Sequence, residues 1–232
     1  MSTPRNSGRP FELLIFDCDG VLVDSEVIVC RVEVQAFAEI GYSIELERFM
    51  ERFIGKAAKD SRAIIEQELG RSLPVGFNTE VARRVAQAFA RELKPVDGVS
   101  EALARLSNRK CVASSSLPDR LAYTLGLTGL AECFGTAIFS AAMVARGKPA
   151  PDLFLHAAEQ MRVAPPHCLV IEDSGPGIIA AKTAGMTAFG FAGASHCRSR
   201  HAEQLTAAGA DLVFSNMREL PAFIDRYAKS EE

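Results

Sequence analysis

Residues 11–25 read Phe11-Glu12-Leu13-Leu14-Ile15-Phe16-Asp17-Cys18-Asp19-Gly20-Val21-Leu22-Val23-Asp24-Ser25. Leu13–Phe16 is a short apolar run containing Ile and Phe, the pattern of a buried strand. Asp17 ends it abruptly. A carboxylate at the end of a buried strand is costly unless a cation or hydrogen bonds compensate. Asp17 and Asp19, at i and i+2, project to the same side if extended pairing continues. Gly20 lets the chain turn sharply and approach a ligand. A plain turn is the bland explanation, since Asp and Gly favour turns. An EF-hand loop starting at Asp17 fails, because its sixth and twelfth positions are Leu22 and Ile28 rather than Gly and Glu. The third explanation is a nucleophilic Asp beside a proton-moving Asp, with a shared metal. The stretch alone leaves the choice open.

Beyond Asp24 the pattern turns helical. Ser25 suits the cap of a helix over 26–40 that stops at Gly41, and helices follow over 45–52, 59–69 and 79–93. From Pro95-Val96-Asp97-Gly98 onward, strands and helices alternate: strands at 111–113, 137–139, 169–171, 187–191 and 211–214, with helices at 99–106, 119–125, 151–161, 177–184, 202–208 and 219–227. Alternation of this kind predicts an α/β fold with a doubly wound parallel sheet. Residues 11–24 and 95–232 form its core. Residues 25–94 make a small all-helical cap inserted after the first strand, and residues 1–10 form a disordered arm.

In such sheets ligands bind beyond the carboxyl ends of the strands. Three distant strands end in polar clusters there, Asp17/Asp19, Ser114–Ser116 and Glu172/Asp173, which lowers the weight of the turn-only explanation. The loop Arg146-Gly147-Lys148-Pro149 adds a cation just before a helix. In this order the four segments resemble the motifs of the haloacid dehalogenase-like superfamily in its phosphatase and phosphomutase form. The resemblance covers most of the chain.

That resemblance implies the following roles. Asp17 is the nucleophile that forms an aspartyl-phosphate, and Asp19 protonates the leaving group and then activates water. Ser114 and the Ser115 amide bind the transferring phosphoryl group, which Lys148 neutralises while restraining Asp17. Mg²⁺ is the expected cofactor, held by the Asp17 side chain, the Asp19 carbonyl and Asp173, with Glu172 as a fourth candidate. The cap closes over the core, with 95–98 and 23–25 as hinges. Within it Lys56 is the first choice and Arg52 the second for a substrate contact. Ser116 is balanced between site residue and helix cap. His196, Cys197 and His201 lack a fourth zinc ligand nearby and are assigned to a solvated loop; His156 and His167 carry no role.

The resemblance also separates related chemistries. Asp19 and Asp173 argue against metal-free dehalogenation, and Lys56 or Lys59 is a weak choice for the Schiff-base lysine of a phosphonatase. The rival is a β-phosphoglucomutase-like enzyme. Such mutases carry a His shortly after the first motif, Gly-x-Ser-Arg in the cap and a Lys after the second-motif serines. Here Ile28-Val29-Cys30, Gly55-Lys56-Ala57-Ala58 and Leu117 stand in those regions. The expectation is therefore a phosphatase of a small phosphorylated metabolite, a sugar phosphate or phosphosugar acid. A non-catalytic binding protein of this fold remains the last alternative, disfavoured because Asp17, Asp19, Lys148 and Asp173 are all present.

Composition limits the rest. Of 232 residues 48% are hydrophobic and 24% charged, with a net charge of −3, which gives no reason to expect nucleic-acid or anionic-membrane partners. No apolar run approaches membrane-spanning length, and residues 1–10 lack an apolar signal core. Six scattered cysteines without a C-x-x-C pair fit a reduced, cytoplasmic setting. A monomer is expected, with the alanine-rich later helices leaving a weak dimer open.

Overall fold

The computed structural model describes residues 11–56 and 58–230; the expected arm over 1–10 lies outside the described residues. Six strands form one parallel sheet: β1 (Leu13–Phe16), β2 (Arg109–Ser114), β3 (Ile138–Ser140), β4 (Cys168–Glu172), β5 (Thr187–Phe191) and β6 (Leu212–Phe214). Their spatial order is β3-β2-β1-β4-β5-β6, and every neighbouring pair is parallel. The order reverses at β1, which places its carboxyl end at the switch point where open α/β sheets bind ligands.

The period-2 alternation of the strands divides the core into two layers. Leu14, Phe16, Val112, Leu169 and Ile171 face one cluster, whereas Leu13, Ile15, Cys111, Ala113 and Val170 face the other. Helices α5 (Val99–Arg105), α6 (Pro118–Leu127), α7 (Asp152–Gln160), α8 (Gly175–Thr183), α9 (His201–Ala207) and α10 (Leu220–Ser230) surround the sheet. Burial on both faces explains why the central strands are almost wholly apolar.

Between β1 and α5 run four helices, α1 (Glu26–Glu39), α2 (Leu46–Phe53), α3 (Ala58–Leu69) and α4 (Phe77–Glu92). They bury apolar clusters of their own. Ile28 and Val32 of α1 meet Val85 and Phe89 of α4, while Phe37, Phe49, Phe53 and Ile65 form a second cluster. The chain enters and leaves this segment side by side: Asp24 donates from its amide to the Lys94 carbonyl at 3.0 Å, and Val96 to that of Leu22 at 2.9 Å.

Several boundaries differ from the sequence expectation for a common reason. β2 starts at Arg109 rather than Cys111 and continues to Ser114, because Arg109 and Lys110 pair with Leu13 and Leu14 of β1 while holding their charged ends outward. β4 extends through Glu172, a buried acid that apolar periodicity excludes. β3 lies one residue later than 137–139. Backbone pairing, not side-chain polarity, sets these ends.

Candidate active site

The site begins where β1 stops. Asp17 leaves the strand, its amide still donating to the Ile171 carbonyl at 3.0 Å. Gly20 then adopts φ +79°, a conformation that strains residues carrying a Cβ. Space is the second requirement: a Cβ on Gly20 would lie 1.9 Å from Asp173 Oδ2 and 2.9 Å from His196 Cε1. The tight turn is thus what allows Asp173 and His196 to pack over the first acidic cluster.

Asp17, Glu172 and Asp173 are all buried, and each offers a carboxylate oxygen within 4.8 Å of the others. Lys148 is the cation among them. Its ammonium donates to Asp17 Oδ1 at 2.9 Å and to Glu172 Oε1 at 2.5 Å, and its side chain is 5% exposed. Glu172 Oε2 accepts from the Ser174 amide and hydroxyl at 2.9 and 2.8 Å. Both of its oxygens are therefore in use, which suits an anchor for Lys148. Gly177 of α8 makes room for it, since a Cβ there would stand 2.0 Å from Glu172 Oε1.

One ammonium faces three buried carboxylates, and the imbalance shows in their acidity. Burial pushes Asp17 up to about 8, with Lys148 opposing and Glu172 and Asp173 adding to the rise. Burial and Glu172 also carry Asp173 well above the usual carboxylate range. For Lys148 burial favours the neutral form, but Asp17 and Glu172 outweigh it and raise its pKa, keeping it charged. Hard oxygen donors with excess negative charge fit a divalent cation such as Mg²⁺.

Asp19 is held differently. Its Oδ1 accepts from Ser25 Oγ at 2.5 Å and from Arg120 Nη2 at 2.9 Å, and its Oδ2 accepts from Ser116 Oγ at 2.6 Å. Burial opposes ionisation, but Arg120 and the two hydroxyls keep this carboxyl below its ordinary value. These contacts correct the expectation for Ser25 and decide the open one for Ser116. Ser25 precedes α1 without a side-chain cap bond, and the residue in the cap position before α6 is Leu117, not Ser116. Both hydroxyls serve Asp19 instead, and Ser114 Oγ accepts from the Ser116 amide at 3.2 Å.

The loop after β5 brings a further correction. His196 is 3% exposed, not solvated, and its Nε2 lies 3.2 Å from Asp173 Oδ2. Burial lowers its proton affinity and favours the neutral ring. His201 Nε2 contacts the Asp173 carbonyl at 2.7 Å. Two histidines thus brace one carboxylate from its side chain and its backbone. Nothing in their local sequence signals this, because the contact depends on the loop folding back over Gly20.

Of the remaining expected residues, Ser114 is buried at the end of β2 and Ser115 is exposed beside it. Lys56 and Lys59 are exposed. Arg52 pairs with Glu68 and donates to Tyr42 Oη at 3.1 Å, so its partners lie within the helical segment and not at the strand ends. Arg120 and Glu26, neither singled out in the sequence, stand at the site instead. Glu26 is half-buried, and burial together with Asp19 and Asp173 pushes it up to about 7.

With this geometry, the family model for haloacid dehalogenase-like hydrolases matches residues 11–185, most of the chain. The chain belongs to that family. Among curated relatives of this haloacid dehalogenase-like hydrolase, the 6-phosphogluconate phosphatase of Escherichia coli is 31% identical over 211 residues, covering 90% of this chain and 93% of the relative. Hexitol phosphatase B of the same organism is 31% identical, covering 80% and 84%. Among solved structures, a haloacid dehalogenase-like protein of unknown function from Agrobacterium tumefaciens superposes with a TM-score of 0.86 at 43% identity, covering 94% and 99%. A family hydrolase from Deinococcus radiodurans with bound phosphate and sodium gives 0.80 at 32%, covering 95% and 97%.

Proposed function

We propose that the chain is a Mg²⁺-dependent phosphatase of small phosphorylated metabolites, sugar phosphates or phosphosugar acids, acting through an aspartyl-phosphate on Asp17. The observation that carries this reading is the pairing of Asp17 with a single buried ammonium inside a cluster of three carboxylates. The phosphatase activities named for the two curated relatives support it.

In the first half-reaction the Asp17 carboxylate attacks phosphorus and the ester oxygen departs, taking a proton from Asp19, which must gain that proton on substrate binding because Arg120 and two hydroxyls hold it ionised in the free protein. In the second, water attacks the same phosphorus, Asp19 accepts its proton, and phosphate leaves with Asp17 restored. Lys148 keeps Asp17 oriented and offsets charge on the phosphoryl oxygens, and Ser114 and the Ser115 amide receive that group. Asp17, Asp173 and the Asp19 carbonyl would hold Mg²⁺, which when bound would supply charge neutralisation of the same oxygens. Glu172 is assigned to anchoring Lys148. Helices α1–α4 form the cap, with the paired segments around residues 24 and 95 as its hinge. Six free thiols, four of them buried, suit a cytoplasmic location; among the described residues no helix is long and apolar enough to cross a membrane.

The direct test is phosphate release from a panel of hexose phosphates, hexitol phosphates, phosphosugar acids and one aryl phosphate, with Mg²⁺ and with chelator. Metal-dependent release supports the reading. An isomerised sugar phosphate without release contradicts it.

Two further results are expected. Asp17 has a folded-state pKa raised to about 8, so the metal-free protein keeps this group's stability at low pH and loses it as pH rises towards 8. Mg²⁺ must displace the protons held there, so its stabilisation grows with pH. Thermal melts should show a larger Mg²⁺-induced rise at pH 8 than at pH 5.5; an equal rise contradicts the assignment. His196→Ala should weaken Mg²⁺ binding about 10-fold or more through loss of the brace on Asp173. Calorimetric titration measures this, and unchanged affinity removes His196 from the account.

A further inference from the structure

Among the described residues, a guanidinium at the site has donors that are not used up. Lys148 is committed to Asp17 and Glu172. Arg120, in the first turn of α6, donates one side-chain hydrogen bond among the described residues, from Nη2 to Asp19 Oδ1 at 2.9 Å. Its Nε is buried and has no hydrogen-bond partner among the described residues. An orphaned buried N–H costs free energy until an acceptor reaches it. The guanidinium also lies over the Phe89 ring of α4, its Cζ 5.3 Å from the centroid. It is therefore held between the helical segment and the strand ends, while 34% of the side chain stays exposed and can be reached.

The charges around it say what it would meet. Asp17, Asp19, Glu26, Glu172 and Asp173 crowd the strand ends. A substrate's phosphoryl group has Lys148 and a metal to answer it. A second anionic group on the same substrate would be repelled by these carboxylates and drawn to Arg120. Guanidinium is planar and forked, matched to two oxygens of a carboxylate or phosphate.

We infer that Arg120 is the specificity-determining residue for phosphate esters that carry a second anionic group. The inference rests on the phosphatase reading and narrows its substrate class. In the free enzyme the fork pairs with Asp19. On binding, the substrate's carboxylate or second phosphate meets the exposed part of the guanidinium and draws it from Asp19, which bares the buried Nε–H to the anion and leaves Asp19 with Ser25 and Ser116, free to turn towards the leaving group.

The test compares kcat/KM for three matched esters: a hexitol phosphate, the aldonate phosphate of the same chain length, and a hexose bisphosphate. Wild type, Arg120→Lys and Arg120→Gln are assayed with saturating Mg²⁺. Wild type should prefer a doubly anionic ester over the hexitol phosphate, and which of the two it prefers separates carboxylate from phosphate recognition. Arg120→Gln should lower that preference about 10- to 100-fold. Arg120→Lys, a point charge without the fork, should keep an intermediate preference, and decides the matter if the Gln variant does not fold. The ratio isolates recognition, because loss of support for Asp19 slows every ester alike. Equal losses on all three esters, or no preference in wild type, overturn the inference while leaving the phosphatase reading standing. No release from any ester by wild type overturns both.

Discussion

Asp17→Asn is expected to reduce phosphate release by at least about four orders of magnitude, since an amide cannot serve as the attacking oxygen. The same substitution should stabilise the metal-free protein. Asp17 is buried against Glu172 and Asp173 with one ammonium to share, and its pKa is pushed up to about 8. An uncharged isostere removes one member of that repulsive set. At pH 8 in chelator the expected gain is about 2 kcal/mol, or roughly 4–8 °C in a chain of this size. The gain should shrink at pH 5.5, where wild-type Asp17 already holds its proton. Thermal melts at the two pH values check this alongside the assay. A variant that is inactive and also less stable at pH 8 would show that Asp17 is chiefly a structural partner of Lys148.

Lys148→Met should harm both properties. It removes the ammonium from between Asp17 and Glu172 and leaves Glu172, which is fully buried, with only its Ser174 contacts. Breaking a buried pair from one side costs about 3–5 kcal/mol. Turnover should fall by about three orders of magnitude, because the phosphoryl oxygens lose a fixed charge. Mg²⁺ should restore part of the stability and little of the activity. Near-normal turnover in a folded Lys148→Met protein contradicts the role given to Lys148.

The contrast between these two variants follows from charge balance, which the sequence conveys only in part. Asp17, Asp19 and Gly20 are legible because an apolar strand stops abruptly in acids. Lys148 is legible from its place before a helix and its order among the other clusters. Glu172 is visible as an acid but not as an anchor, since its role depends on the hydrogen bonds of Ser174 and the space left by Gly177. Ser25 and Ser116 look like helix caps because a hydroxyl near a helix start bonds backbone and carboxylate equally well. Their true acceptor, Asp19, is fixed by tertiary packing. Arg120 sits in a helix where a charged residue needs no explanation, and His196 in a loop with no periodic signal. The strand ends at Arg109 and Glu172 are set by pairing with β1 and β5, which polarity does not report.

The central claim is covalent phosphorylation of Asp17. Wild-type protein mixed with Mg²⁺ and the best ester of the panel, quenched in acid within one turnover and mapped by peptide mass spectrometry, tests it directly. The account predicts a phosphoryl adduct on the peptide containing Asp17, labile to hydroxylamine and absent from Asp17→Asn. Phosphate release at full rate with no adduct, or an adduct on another residue, would contradict it.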